Sequence, residues 1–127
     1  MKDRMKDMIR ENIIQYCLEK KGADPTHPFG LDSLVIKVEG KMFALIFENN
    51  LKQPIINLKC DPVIAANLRE QHEQVRPGYH MNKKHWNSVT LDGSVPEQDI
   101  YLMIDHSYQL VVKNLPKNLQ ASILENN

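Results

Sequence analysis

The sequence has no surplus of either charge: sixteen lysines and arginines face sixteen aspartates and glutamates, for a formal net charge of zero. Nucleic-acid binders commonly carry a basic excess, so any such role must rest on a local patch and not on the field of the whole chain. Cysteine is scarce too. Cys17 and Cys60 stand alone in apolar surroundings, without a CxxC or Cys/His spacing, which fits two reduced, buried thiols and neither a disulfide nor a metal site. No stretch approaches the ~20 apolar residues of a membrane span, and Met1-Lys2-Asp3-Arg4-Met5-Lys6-Asp7 alternates charges where a signal peptide needs an apolar run. The expectation is a cytoplasmic protein with no membrane partner. The five glycines are scattered, and neither a phosphate-cradling loop, a nucleophile elbow nor a paired-carboxylate motif occurs. No catalytic residue, cofactor or metal is expected on that ground.

What is there is ordinary globular material: 127 residues, 42% hydrophobic and 25% charged, which suits one domain over residues 1–127. Met5, Met8, Ile9, Ile13, Tyr16 and Cys17 recur at three- and four-residue steps and predict a helix from about Lys2 to Lys20, ended by Gly22. Asp3 with Lys6 and Asp7 with Arg10 lie on its solvated face. A loop from Asp24 to Gly30 follows. Leu34 to Val38 and Lys41 to Phe47 read as a hairpin turning at Glu39-Gly40. In the second strand Phe43, Leu45 and Phe47 share one face and Met42, Ala44 and Ile46 the other, as in a central strand. Gln53 to Cys60 is a third strand, with Pro54 near its start.

Asp61-Pro62 is an N-cap followed by proline at the first helical position, which starts a helix to about Gln71 with Val63, Ile64 and Leu68 inward. Val75 to His85 has no period and contains the breaker Pro77-Gly78, so it reads as an exposed loop before a short strand, Trp86 to Leu91. Ser94 and Glu97 have capping-box spacing at the head of a long helix to about Leu115, on whose apolar stripe Ser107 is a close-packing position. Pro116 breaks that helix, and Leu119, Ile123 and Leu124 predict a last short one before a frayed Glu125-Asn126-Asn127 end. The order helix, three strands, helix, strand, helix predicts an α+β fold: an antiparallel sheet with helices on one side.

Gly40-Lys41-Met42-Phe43-Ala44, Leu58-Lys59-Cys60-Asp61-Pro62, Pro77-Gly78-Tyr79-His80-Met81-Asn82-Lys83, His85-Trp86-Asn87 and Ser107-Tyr108-Gln109-Leu110-Val111 together resemble the MmcQ/YjbR family across nearly the whole chain. The resemblance implies a helix-flanked antiparallel sheet like that of the frataxin-type (CyaY-like) proteins, and a description as "double wing" DNA-binding proteins. Family members commonly have proline before the glycine that ends the first helix, where this chain has Lys20-Lys21-Gly22. The frataxin likeness does not bring iron with it, since the first helix mixes its charges instead of presenting an acidic face.

The candidate site is the acid-free stretch from Arg76 to Trp86. Arg76, Lys83 and Lys84, extended by Lys59, could meet phosphates, while Tyr79, His80, His85 and Trp86 offer rings for stacking on bases. DNA is the partner this suggests. The same loop could instead close over a small ligand or a protein partner, or Tyr79 and Trp86 could simply anchor it to the core. His80 and His85 lack metal-ligand spacing, and His80, Lys83, His85, Asp61 and Asp105 lack the motif that would make them acid and base. Trp86 is expected to be at least half buried with Tyr79 and Tyr108 near it, the Tyr108 hydroxyl reaching the Tyr79 loop.

Overall fold

The computed structural model describes residues 2–125, with side chains from residue 7 to residue 123. Expectations for Met5, the Asp3 and Lys6 charges, Leu124 and the chain's last residues fall outside the described residues. The elements run α1 (Lys2–Leu18), β1 (Ala23–Thr26), β2 (Leu34–Val38), β3 (Lys41–Glu48), β4 (Pro54–Lys59), α2 (Pro62–Gln71), β5 (Val75–Pro77), β6 (Trp86–Thr90), α3 (Glu97–Lys113) and α4 (Lys117–Glu125). The strands form one antiparallel sheet in the order β1-β2-β3-β4-β6-β5. The α+β class and the order of the long elements match the sequence reading. Two short strands were missed: β1 in the Asp24 loop and β5 at the head of the Val75 loop. Both are edge strands carrying a proline, Pro25 and Pro77, and an edge needs only one side of its backbone for the ladder, so a turn-like sequence can still pair.

Residues opposite one another in the ladder point to the same face. Ile36, Ala44, Leu58 and Asn87 make one row across four strands, and Val35, Leu45, Asn57, Ser88 and Arg76 make a row on the other face. The first face is the core side. Its Ile36, Ala44, Ile46, Ile56, Leu58 and Val89 cluster with Ile9, Ile13 and Cys17 of α1 and with Ile100, Ile104 and Val111 of α3. Helix α2 lies out by β5 and buries only Ala65, so the expectation for Val63 and Ile64 is corrected: both are exposed, and only Leu68 is partly covered.

The strict alternation expected in β3 also fails, because the register with β2 shifts between Ile36 and Lys37. Ile36 pairs with Ala44 but Lys37 pairs with Met42, leaving Phe43 as the extra residue of a β-bulge. The bulge resets the pleat. Met42 joins Leu45 and Phe47 on the face away from the helices, while Phe43 is fully buried with Ala44 and meets the Tyr108 ring of α3 edge-on. At this point the β3–β4 ladder ends at the Ala44–Leu58 pair. The buried Ser107 hydroxyl of α3 stands where the next pair, Phe43 and Lys59, would join directly. It accepts from the Lys59 N–H at 2.9 Å and donates to the Phe43 carbonyl at 2.6 Å. Ser107 is therefore a bridge between helix and sheet as well as a small residue at a close approach.

At the head of α3 the expected capping box is absent. The Ser94 hydroxyl donates to Asp92 Oδ1 within the preceding turn, and Pro96 is the N-cap with no side-chain hydrogen bond. The Asp7 and Arg10 charges form no ion pair with each other. Tyr16 of α1 donates to Asp105 of α3 at 2.7 Å and stacks on Tyr101, with Lys20 paired to the same carboxylate. Ser107→Ala should lower stability by about 2–4 kcal/mol, since it leaves a carbonyl and an N–H without partners in the interior. Urea unfolding checks this; a parent-like midpoint would mean that the hydroxyl is not the bridge.

Candidate binding face of the sheet

With the helices on one face, the Val35, Leu45, Phe47, Asn57 and Ser88 side is covered only by what the chain folds back over it. The segment 78–85, between β5 and β6, does so because a buried polar pair requires it. Asn57 is fully buried within the apolar run Ile55-Ile56-Asn57-Leu58, and Ser88 lies directly opposite it on β6. Ser88 Oγ donates to Asn57 Oδ1, the Tyr79 N–H donates to Ser88 Oγ at 2.8 Å, and Asn57 Nδ2 donates to the Tyr79 carbonyl at 3.0 Å. Both main-chain groups of Tyr79 are thereby satisfied by buried side chains, which fixes the residue on the sheet.

The rest of the segment is held as firmly. Gly78 N–H donates to the Trp86 carbonyl at 2.8 Å, and Lys83 Nζ reaches back to the Gly78 carbonyl at 3.0 Å. Asn82 Oδ1 accepts from Lys84 N–H at 2.9 Å, and Cys60 N–H donates to the His85 carbonyl at 2.8 Å. From α2 the Arg69 guanidinium donates to Asn87 Oδ1 at 2.7 Å, to the Lys83 carbonyl and to the Trp86 carbonyl at 3.2 Å. Asn57, Ser88 and Arg69 were not among the sequence candidates. The available signal was one polar residue breaking an apolar strand.

The fixed backbone carries an aromatic ring that is not buried. Tyr79 is 51% exposed, stacks on Phe47 of β3 with centroids 6.0 Å apart, and is flanked by the His80 ring at 4.0 Å. His80 adopts φ 60°, the left-handed region that a non-glycine residue occupies at some cost. On either side of Tyr79 lies an open cleft. One, of about 510 Å³, is bounded by Leu51, Ile55, Arg76 and Thr90; the other, of about 580 Å³, by Phe29, Val35, Met42, Leu45 and Met81. Phe47 and Tyr79 form the ridge between them. Phe29 and Leu51, on the outer rims, are 74% and 78% exposed.

The sequence candidates are divided among three places. Tyr79, His80 and Arg76 lie along the clefts, Arg76 on β5 and not in a loop. Lys84 and His85 are exposed on the far part of the segment, and Lys83 is exposed although its ammonium is engaged within the loop. Lys59 and Trp86 are a ladder pair, both half-buried, and line neither cleft. Tyr108 is not near them, which corrects the expectation: its hydroxyl donates to the Lys21 carbonyl at 2.6 Å on the helix side. Asp61 caps Val63 and Ile64, and Asp105 holds Tyr16 and Lys20; neither carboxylate is paired with His80 or His85. Among the described residues no three His, Cys, Asp or Glu side chains converge on a metal position, and no helix is long and apolar enough to cross a membrane.

The thiols are also out of play as nucleophiles. Burial pushes Cys17 up to about 12, against a smaller opposing effect of Lys20. Burial, with the Asp61 charge adding to it, pushes Cys60 up to about 11 although Arg69 pulls it down.

A family model described as YjbR matches residues 18–110. Over 118 residues the chain is 39% identical to the "Uncharacterized protein YjbR" of Escherichia coli K12, covering 93% of this chain and 99% of that one. It is 34% identical over 116 residues to YyaQ of Bacillus subtilis 168, covering 81% of this chain and 98% of the relative. The crystal structure of the Deinococcus radiodurans protein DR2400 superposes with a TM-score of 0.81 at 34% identity, over 90% of this chain and 86% of that one.

Two outcomes follow from the packing at Gly78 and from the burial of the thiols. A Cβ on Gly78 would stand 2.6 Å from Trp86 Cβ and 3.0 Å from the Trp86 carbonyl oxygen, the second of which is backbone and cannot swing away. Gly78→Ala should therefore cost roughly 1–3 kcal/mol and shift the emission of the single tryptophan, read by urea unfolding followed through fluorescence. Both cysteines should stay unreactive toward a disulfide reagent at pH 8 in the native protein and react in guanidinium; fast native labelling of either would contradict its raised pKa.

Proposed function

This chain belongs to the YjbR family, and from that premise we propose that it is a non-catalytic binding module that holds a small ligand on the open face of its sheet, with the segment 78–85 as one wall. The observation that carries the reading is Tyr79: an aromatic ring half in solvent on a backbone fixed at both its N–H and its carbonyl, between two clefts. Exposed apolar area that is also rigid suits binding, because little conformational entropy remains to be lost when a ligand settles on it. Concavity favours a small ligand over an extended polyanion. Of the four cations expected to meet phosphates only Arg76 borders a cleft: Lys83 is tied to Gly78, Lys59 is a half-buried partner of Trp86, and Lys84 lines neither cleft.

A second reading, a DNA-binding surface, is favoured by Arg76, Lys84 and His85, which are exposed and enter no ion pair among the described residues. The two are separated by one set of titrations followed by two-dimensional NMR. With a library of small aliphatic and aromatic fragments, hits should shift Leu45, Phe47 and Tyr79, and Tyr79→Ala should weaken them about tenfold while melting like the parent. With single- and double-stranded DNA oligomers, a steep fall of affinity with salt and a loss in the Arg76→Glu, Lys84→Glu variant would transfer the assignment to nucleic acid. Silence of these resonances in both series would sink the module reading.

A further inference from the structure

Charge is placed differently in the two clefts. In the one along β2 and β3, Lys37 stands opposite Asp24 on the same face, and Lys41, opposite the core residue Val38, is on the helix side, so that cleft has no uncompensated cationic end. The cleft between the ridge and β5 differs. Arg76 is on the open face there, opposite Ser88, and Gln74 borders the same cleft. The open-face ladder positions between Arg76 and Phe47 are Ser88 and Thr90 of β6 and Ile55 and Asn57 of β4, none of them acidic. Glu48 is the one carboxylate residue that borders this cleft, and its place after the outward Phe47, opposite Pro54, puts it on the helix side by the alternation of the strand. Arg76 enters no ion pair among the described residues. Its guanidinium is therefore the one formal charge that the open face turns toward this cleft.

Resting on the binding reading above, we propose that this cleft takes a planar aromatic carboxylate, with its ring against Phe47 and Tyr79 and its carboxylate at Arg76. A guanidinium presents paired donors in one plane, which match the two oxygens of a carboxylate and fix its direction. The wall opposite is itself aromatic. Phe47 and Tyr79 lie nearly parallel, at 19°, and Tyr79 is held through both of its main-chain groups, so a flat ring meets a rigid partner and gains more than its buried area alone would give. The Ile55 side chain offers apolar floor, and Leu51, 78% exposed on the rim, gains cover. The volume of about 510 Å³ lies within the range of small-molecule sites.

The test uses indole-3-acetate, indole-3-ethanol and tryptamine, which share a ring system and differ in the charge of the arm. Each is titrated into the full chain at neutral pH and followed by calorimetry and by the NMR shifts of Ile55, Tyr79 and Thr90. Indole-3-acetate should bind at least about threefold more tightly than the alcohol, the factor expected for an ion pair at a solvated guanidinium, and the amine should bind most weakly. Arg76→Met should bring the acid down to the affinity of the alcohol, whose own shifts then report that the variant is folded. If the alcohol binds as tightly as the acid with shifts at the same residues, the cleft remains a binding site and the carboxylate assignment falls. If octanoate matches indole-3-acetate, the aromatic body falls. Tighter binding of adenosine 5′-monophosphate through the same Arg76 would overturn the carboxylate in favour of a phosphate. If none of the compounds binds, the assignment and the binding reading of this cleft fall together.

Discussion

A side-chain amide that has no access to water decides how the open face is built. Asn57 is enclosed in the middle of β4, where an amide without partners would cost several kcal/mol. Its partners are Ser88 across the ladder and the main chain of Tyr79. The β5–β6 connection must therefore lie down on the sheet, although its sequence is that of an exposed loop. The ridge between the clefts, the pose of Tyr79 beside Phe47 and the unusual backbone of His80 all descend from that requirement.

The opposite face is organised by a departure from regular pairing. One extra residue at Phe43 lets two successive side chains, Phe43 and Ala44, face the helices and sends Met42 to the other side. The bulge both thickens the core under α3 and supplies an apolar residue to the cleft. Where it breaks the β3–β4 ladder, Ser107 takes over the pairing and ties α3 to two strands with one hydroxyl. The two faces are thus coupled through a single irregularity.

Much of the fold was legible in the sequence because it rests on periodicity. The 3.6-residue stripe of α3, the proline-led start of α2 and the turn at Glu39-Gly40 are local signals, and each element stands where its signal lies. What was not legible depended on partners distant in the chain. The bulge, the outward turn of Val63 and Ile64, and the attachment of Tyr108 to Lys21 are set by contacts between segments, and no window of sequence contains them. The stretch from Arg76 to Trp86 does border the open face, but its organising residues, Asn57, Ser88 and Arg69, carry no recognisable motif, and the tie of the exposed Lys83 ammonium to the Gly78 carbonyl is a contact within the loop that no motif announces.

Both margins of the sheet carry a proline in a short strand, Pro25 in β1 and Pro77 in β5. A residue without an N–H cannot extend a ladder outward, so neither margin offers a template on which a further strand could grow. Self-association by strand addition is thereby discouraged, in a molecule that leaves aromatic and aliphatic side chains on the broad side of the same sheet. The exposed apolar side chains thus lie on the flat of the sheet and not along a rim open to strand addition, in a chain whose net charge gives it no repulsion to rely on.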